Sequence, residues 1–185
     1  MENYVALLRG INVGGKNKVS MPALKESFEQ NGFQNVITYI NSGNILLSSE
    51  QNDVTAIKEK CEALIAHRFQ LEVPVFVISV EDLLKACDHA PPWWGEDEHS
   101  THNAIFILPP ITVDEVVRAV GAIKPEYEQV DNHGRVVYWS APVKTYSRTR
   151  WSKLVGTPLY DYITIRNANT FRKLSQLALQ SKQRE

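Results

Sequence analysis

The amino-acid sequence predicts an α+β fold: two tandem ferredoxin-like (β-α-β-β-α-β) subdomains with antiparallel sheets and extra helices. Two observations predict this fold. Strand-like and helix-like segments follow one another in the order β-α-β-β-α-β over residues 5–78, and the same kind of order recurs after residue 103. We therefore expect a first subdomain over residues 1–80, a helix and linker over 81–102, and a second subdomain with a C-terminal helix over 103–185.

The first subdomain is predicted from hydrophobic periodicity and from turn residues. A continuous apolar run at 5–8 is typical of a buried central strand. Ser20 is placed to cap a helix with one apolar face, and Gly32 is placed to end it. The remaining predicted elements are strands at 36–40 and 45–47 around a turn at 41–44, a helix over 53–69, and a strand at 74–78.

The second subdomain is predicted in the same way, after an extra helix that begins at Ser79. Trp93 and Trp94 follow in the linker, where we expect packing to hold them. Thr112 and Glu115 form a capping box that begins the next helix. The remaining predicted elements are strands at 104–108, 127–130, 136–139 and 162–165, a short helical piece over 150–155, and a last helix capped by Asn167.

A glycine-rich, basic loop follows the first strand, and here the sequence predicts a ligand. Gly10, Gly14 and Gly15 let the backbone adopt positive φ, so that successive N–H groups can point to one anion. Arg9 and Lys16 add positive charge beside these glycines. We therefore expect a phosphate or a carboxylate to bind there.

The predicted topology places a second group of polar residues beside this loop. The first and second strands run in the same direction, so the loop containing Asn12 and the turn containing Ser42 and Asn44 emerge at one sheet edge. Hydroxyl and amide groups then join the anion site. Two structural interpretations stay open: the turn residues bond to their own backbone, and Ile11 and Val13 pack the loop.

The loop also comes close to a known nucleotide-binding pattern. Residues 10–17 differ at one position from the phosphate loop G-x-x-x-x-G-K-[ST]. Asn17 replaces the hydroxyl residue that ligates magnesium, and Pro22 places the helix start several residues beyond the lysine. The sequence therefore disfavours a nucleoside triphosphatase of the phosphate-loop class.

Composition and cysteine content restrict the class of protein. No apolar run of the 185 residues approaches membrane-spanning length, and the first ten residues do not resemble a secretory signal. Cys61 and Cys87 stand alone in helix-like segments, which favours reduced thiols over a disulfide or a metal cluster. We expect a cytoplasmic protein with no metal site, and the residues specify no cofactor and no oligomeric state.

Charge is distributed unevenly along the chain. Residues 1–133 hold 10 Lys and Arg against 19 Asp and Glu, whereas residues 134–185 hold 10 against 2. Within the basic part, residues 143–153 interleave cations with aromatic side chains, which can clamp phosphates and stack bases. Arg166 and Asn167, at the start of the last helix, form a second possible anion site. A basic face that only balances the acidic half is the alternative interpretation.

Five segments together resemble a known family. They are residues 8–14 (LRGINVG), 41–44 (NSGN), 146–147 (YS), 152–154 (SKL) and 164–170 (TIRNANT). This combination resembles the bacterial family catalogued as domain of unknown function 1697, over nearly the whole chain. The resemblance implies a pair of ferredoxin-like subdomains in a cytosolic bacterial protein, and it implies no activity. Ala168 departs from the family, in which tryptophan is usual at this position.

The residues favour one function and leave two alternatives open. The favoured function is binding of a phosphate-bearing ligand, a nucleotide or a nucleic acid, at the glycine-rich loop. The first alternative is an enzyme acting on a nucleotide-like ligand, although no catalytic group can be named from the sequence. The second is a protein-assembly module with no small-molecule ligand. The strand at 45–48 carries no aromatic residue, which weakens the simplest RNA-binding interpretation of this fold.

Overall fold

A computed structural model describes residues 1–182 of the chain and confirms the predicted fold, two tandem ferredoxin-like subdomains. The helices and strands, in chain order, are β1 (Glu2–Leu8), α1 (Met21–Gln30), β2 (Gln34–Tyr39), β3 (Asn44–Ser49), α2 (Val54–Phe69), β4 (Val75–Ser79), α3 (Val80–Asp88), β5 (Ser100–Ile107), α4 (Val113–Val120), β6 (Gln129–His133), β7 (Val136–Pro142), β8 (Ile163–Asn167) and α5 (Ala168–Lys182). Three short 3-10 helices, Val143–Arg148, Trp151–Gly156 and Pro158–Tyr162, lie between β7 and β8.

The two sheets have the same topology. The strand order is β2-β3-β1-β4 in the first sheet and β6-β7-β5-β8 in the second, and every neighbouring pair is antiparallel. The last residue of each hairpin turn is held in the same way. The Leu8 amide donates to the Gly43 carbonyl at 2.8 Å, and the Ile107 amide donates to the Arg135 carbonyl at 2.9 Å. Gly43 and Arg135 are therefore equivalent positions.

The chain divides into two compact units, and the division differs from the sequence-based one at the C-terminal helix. The first unit contains Met1–Leu84 together with the described residues from Leu174 onward, and the second contains Lys85–Lys173. The sequence placed all of residues 103–185 in the second subdomain, of which 183–185 lie outside the described residues. The physical reason for this difference is the position of the end of α5. Leu177 lies beside the first sheet and lines a cavity of about 350 Å³ together with residues of that sheet.

The first unit packs helices α1 and α2 on one face of its sheet. Leu24 and Phe28 of α1 and Ile57 of α2 lie in one core with Ala6 and Ile45. Ser20 caps α1 by accepting a hydrogen bond from the Ala23 amide, as its position in the sequence predicts. All six residues of β3 are buried, and Leu46, Leu47 and Ser48 line the cavity of about 350 Å³.

The second unit has apolar side chains on both faces of its sheet. Trp139 and Trp151 lie in the core on one face. On the other face, Phe171 of α5 contacts Trp94 and Tyr138 edge to face. The Trp94 indole also donates to the Asn103 carbonyl at 3.0 Å. Packing therefore holds Trp94 in the linker, as the sequence predicts.

Two details of the second unit differ from the sequence prediction. Its hairpin is shifted, because β6 extends to His133 and only Gly134 and Arg135 form the turn. Tyr127, predicted to begin the strand, lies in a turn closed by its amide and the Lys124 carbonyl at 2.8 Å. The predicted helical piece over 150–155 is the middle one of the three 3-10 helices.

Candidate anion-binding loop

Two asparagine side chains hold the base of the glycine-rich loop, residues 9–18. The Asn12 amide group donates to the carbonyls of Val19 and Asn41, both at 2.9 Å, and its oxygen accepts from the Val19 amide. Asn17 donates to the Gly10 carbonyl at 3.0 Å. Asn12 therefore joins the two sides of the loop and connects the loop to the turn after β2.

The tip of the loop is a tight hairpin. The Lys16 amide donates to the Val13 carbonyl at 3.0 Å, and these two residues form an antiparallel bridge. Gly14 and Gly15 have φ of 56° and 76°, as a two-residue turn with positive φ at both positions requires. A Cβ atom at either position meets nothing within 4 Å. The tip is therefore open on its outer side.

The tip extends into solvent, whereas the base is packed. Ile11 is buried, but Val13 is 65% exposed, and Lys16 and Lys18 are exposed as well. The interpretation that Ile11 and Val13 together pack the loop against the protein therefore holds for Ile11 alone.

The sequence predicts that successive N–H groups of the loop point to one anion. In the structure, the backbone amides of the loop do not all converge on one point. The Arg9 amide donates to the Pro74 carbonyl at 3.0 Å, and the Asn12 amide donates to the Asn17 carbonyl at 3.1 Å. The Lys16 amide is used in the tip hairpin. These amides bond within the protein because carbonyl groups of neighbouring segments lie within reach. Within the described residues, the amides of Gly14 and Gly15 donate to no protein acceptor.

The turn after β2 lies beside the loop, as the topology predicts. Asn44 is fully buried, and its amide group donates to the Tyr39 carbonyl at 3.0 Å and to the Ser42 hydroxyl at 2.9 Å. Asn44 therefore holds the turn and orients Ser42, which is half-exposed. We call the exposed surface of this turn and of the adjacent loop, residues 9–18 and 40–42, the rim. Gly43 lies against the loop base, where a Cβ atom would stand 2.6 Å from the Leu8 Cβ.

Backbone strain is concentrated in the loop and in this turn. Of the five non-glycine residues with positive φ in residues 1–182, three are Asn12, Asn17 and Ile40. Asparagine adopts this conformation readily, but a β-branched residue such as Ile40, at φ 48°, is an outlier. Ile40 is also 49% exposed, so burial of its side chain does not explain the strain. No sequence signal identifies Ile40 in advance, because the preference of isoleucine is for extended backbone.

Arg166 and Asn167, the other two predicted site residues, lie in the second unit. Arg166 is buried on β8 and donates to the Thr164 hydroxyl and the Ile165 carbonyl, both at 2.9 Å. Burial lowers the pKa of its guanidinium to about 10, so it stays charged at neutral pH. The Asn167 side chain accepts from the Thr170 amide at 2.8 Å and thereby caps α5. Asn167 also lines a cleft of about 420 Å³.

The described residues contain no cluster of metal-ligating side chains and no helix that could cross a membrane. No group of three or more His, Cys, Asp or Glu side chains within residues 1–182 is arranged to hold a metal ion. No helix in that part of the chain has the length and apolar character needed to cross a lipid bilayer. Cys61 is buried and Cys87 half-buried, both as free cysteines, and burial raises the pKa of the Cys61 thiol to about 12.

Comparisons with known proteins agree with this architecture. A family model described as "Protein of unknown function (DUF1697)" matches residues 1–138. Among solved structures, the chain is similar to the conserved bacterial protein SP0830 from Streptococcus pneumoniae, with a TM-score of 0.85 and 34% sequence identity. That match covers 96% of this chain and 98% of the other. No curated protein matches the sequence.

Proposed function

The chain belongs to the DUF1697 family of proteins of unknown function, and from its geometry we propose that the glycine-rich loop binds a small phosphate-bearing ligand. The ligand's phosphate would lie at the loop tip, beside Lys16. The nucleotide class is favoured, because it combines an anionic group with a flat apolar surface that can contact the exposed Val13.

One observation carries this proposal: strained backbone, glycine and cations occur together at an exposed rim. A left-handed isoleucine costs on the order of 1–2 kcal/mol, and such strain is concentrated at ligand clamps and active sites. Ile40 bears it without burial in return, next to a loop whose base is fixed by Asn12. A turn that only connects β2 and β3 could use glycine or asparagine at this position, since both adopt positive φ with less strain.

The rim offers the groups that phosphate binding requires. Gly14 and Gly15 are exposed at the tip, their amides donate to no acceptor within the described residues, and Lys16 follows them directly. Backbone amides and an ammonium group make charge-assisted hydrogen bonds to phosphate oxygens. Because Asn12 already holds the base, ordering of the loop on binding costs little entropy.

Isothermal titration calorimetry with ATP, GTP and inorganic phosphate tests the proposal. We expect binding by the parent protein and a loss of about tenfold or more in affinity for Lys16→Ala, because one charge-assisted hydrogen bond is removed. Lys25→Ala is the matched control, since Lys25 is an exposed cation of α1 in the same unit, and it should bind as the parent does. Absence of heat with all three ligands, or equal affinity of both variants, contradicts the proposal. Hydrolysis of the nucleotide during titration would indicate the enzyme alternative instead.

A second candidate function, assembly with a protein partner, is favoured by the apolar residues of the same rim. Val13 and Ile40 are both exposed, and exposed apolar side chains at a protruding tip are typical of contact surfaces. Light scattering after size-exclusion chromatography distinguishes this candidate. Self-association that is lost in Val13→Asp supports it, whereas a monomer at all concentrations contradicts assembly of the chain with itself.

A further inference from the structure

The three 3-10 helices between β7 and β8 carry a basic segment that is anchored firmly to the second unit. Trp151 and Leu154 are buried in its core, and the 3-10 repeat of three residues places both on one face. Thr149 is fully buried, and its hydroxyl donates to the Tyr146 carbonyl at 2.7 Å. The segment therefore presents its other side chains from a fixed backbone.

A buried carboxylate provides the second anchor. Glu128 is 2% exposed, and its oxygens accept hydrogen bonds from the amides of Lys124, Arg150 and Trp151 at 3.2, 2.8 and 3.2 Å. This carboxylate points inward and bonds to backbone, so it joins the 124–128 turn to the 3-10 segment.

Four cations surround these anchors on the outside, and we call Lys124, Arg148, Arg150 and Lys153 the cationic cluster. The Lys124 ammonium donates to the Arg148 carbonyl at 3.1 Å, and the Lys124 and Arg148 side chains lie 6.0 and 5.6 Å from the centre of the Tyr127 ring. Arg150 and Lys153 are three residues apart in a 3-10 repeat, so they share a face with a spacing of about 6 Å along the axis.

The buried Glu128 carboxylate lies beside the cluster, but it bonds to backbone amides and forms no ion pair with the four cations. Arg148, Arg150 and Lys153 are exposed, Lys124 is half-exposed, and none of the four makes an ion pair within residues 1–182. Glu126, exposed in the neighbouring turn, is not paired with them either. Like charges held together on a fixed backbone repel one another, and an external polyanion relieves this repulsion.

We propose that the cationic cluster binds the sugar-phosphate backbone of single-stranded nucleic acid. Several fixed cations fit a chain of phosphates better than a single anion. Arginine guanidinium planes also stack on unpaired bases. A single strand is favoured over a duplex because these short 3-10 helices lie against the core and offer no projecting element for a major groove.

This inference is independent of the glycine-rich loop, which lies in the first unit and takes a small ligand in the function proposed above. Lys16→Ala should therefore leave nucleic-acid binding unchanged. Failure of one proposal leaves the other standing.

Fluorescence anisotropy with labelled oligo(dT) and oligo(U) between 50 and 200 mM salt tests the proposal. Four phosphate contacts predict a slope of about −2.8 in log K against log salt, which is a loss of about 50-fold over this range. The double variant Arg150→Gln/Lys153→Gln should reduce the slope by about 1.4. Neither side chain makes a hydrogen bond or ion pair in the described residues, so we expect an unchanged melting temperature.

The control is Lys25→Gln/Arg118→Gln, which removes the same net charge from exposed positions outside the cluster and should retain the parental slope. Equal slopes for the two double variants, or no binding by the parent at 50 mM salt, overturn the proposal. Competition by poly-glutamate as effective as that by oligo(dT) also overturns it and indicates an acidic protein partner instead.

Discussion

The two units of this protein share one sheet topology and differ in how they connect it. In both, the amide of the last residue of the first strand donates to the carbonyl at the equivalent hairpin position, Gly43 or Arg135. The loop from the first strand to the first helix spans residues 9–20 in the first unit, but only 108–112 in the second. Because the shorter loop closes the same topology, the glycine-rich tip is not needed for the fold. We therefore expect the glycine-rich tip to have a role other than folding.

The connection between the third and fourth strands also differs, and here the second unit has the less regular structure. The first unit uses a regular helix, α2, between its third and fourth strands, whereas the second unit uses three 3-10 helices. A regular helix satisfies its interior backbone groups by itself, but short 3-10 helices need outside acceptors at their ends. Glu128 supplies that acceptor in the second unit. The two proposed binding surfaces thus occur where each unit departs from the connection used by the other.

The largest effect on stability is expected at Glu128, which anchors the 3-10 segment of the second unit. We expect Glu128→Ala to lower the free energy of unfolding by about 4 kcal/mol, because three amides lose a charged acceptor in a buried site. Glu62 of α2 is the matched control, since its carboxylate accepts from one amide, that of Val75, at 2.9 Å, and its other partner is the partly exposed Lys58 ammonium at 2.8 Å. Glu62→Ala should cost about 1 kcal/mol. Urea denaturation measures both, and equal losses would show that the 3-10 segment does not depend on Glu128.

The next effect concerns the two equivalent hairpins. Gly43 has φ 80°, and a Cβ atom there would lie 2.6 Å from the Leu8 Cβ and 2.9 Å from the Ile11 Cδ1. Gly43→Ala should therefore destabilise by about 3 kcal/mol, from the left-handed backbone and the steric overlap together. Gly134→Ala should cost only about 1 kcal/mol, since Gly134 has positive φ but nothing within 4 Å of its Cβ position. Thermal unfolding compares the two variants, and a Gly43→Ala loss no larger than that of Gly134→Ala would show that the loop base yields easily.

These residues also show how much the sequence could predict. The order of elements and the closeness of the loop to the turn at Ser42 follow from periodicity, caps and topology, which are local signals. The directions of the loop amides could not be predicted, because they depend on carbonyls such as that of Pro74 that only the fold brings near. The burial of Glu128 could not be predicted from the sequence either. An acid beside Tyr127 in an otherwise polar turn is more often solvated, and only tertiary contacts show that it accepts backbone hydrogen bonds.

The smallest effect on stability is expected at Ile40. The residue directly after the second strand has positive φ in both units, and it is a glycine, Gly134, in the second unit but an isoleucine, at φ 48°, in the first. We expect Ile40→Asn to stabilise the protein by about 1 kcal/mol, because asparagine tolerates the left-handed region and little burial is lost from a half-exposed side chain. The melting temperature should therefore rise. An unchanged or lower melting temperature would mean that the Ile40 backbone is not strained, and the argument from strain to ligand binding would then lose its basis. If stability rises while affinity for the phosphate ligand falls, the strain is retained for binding.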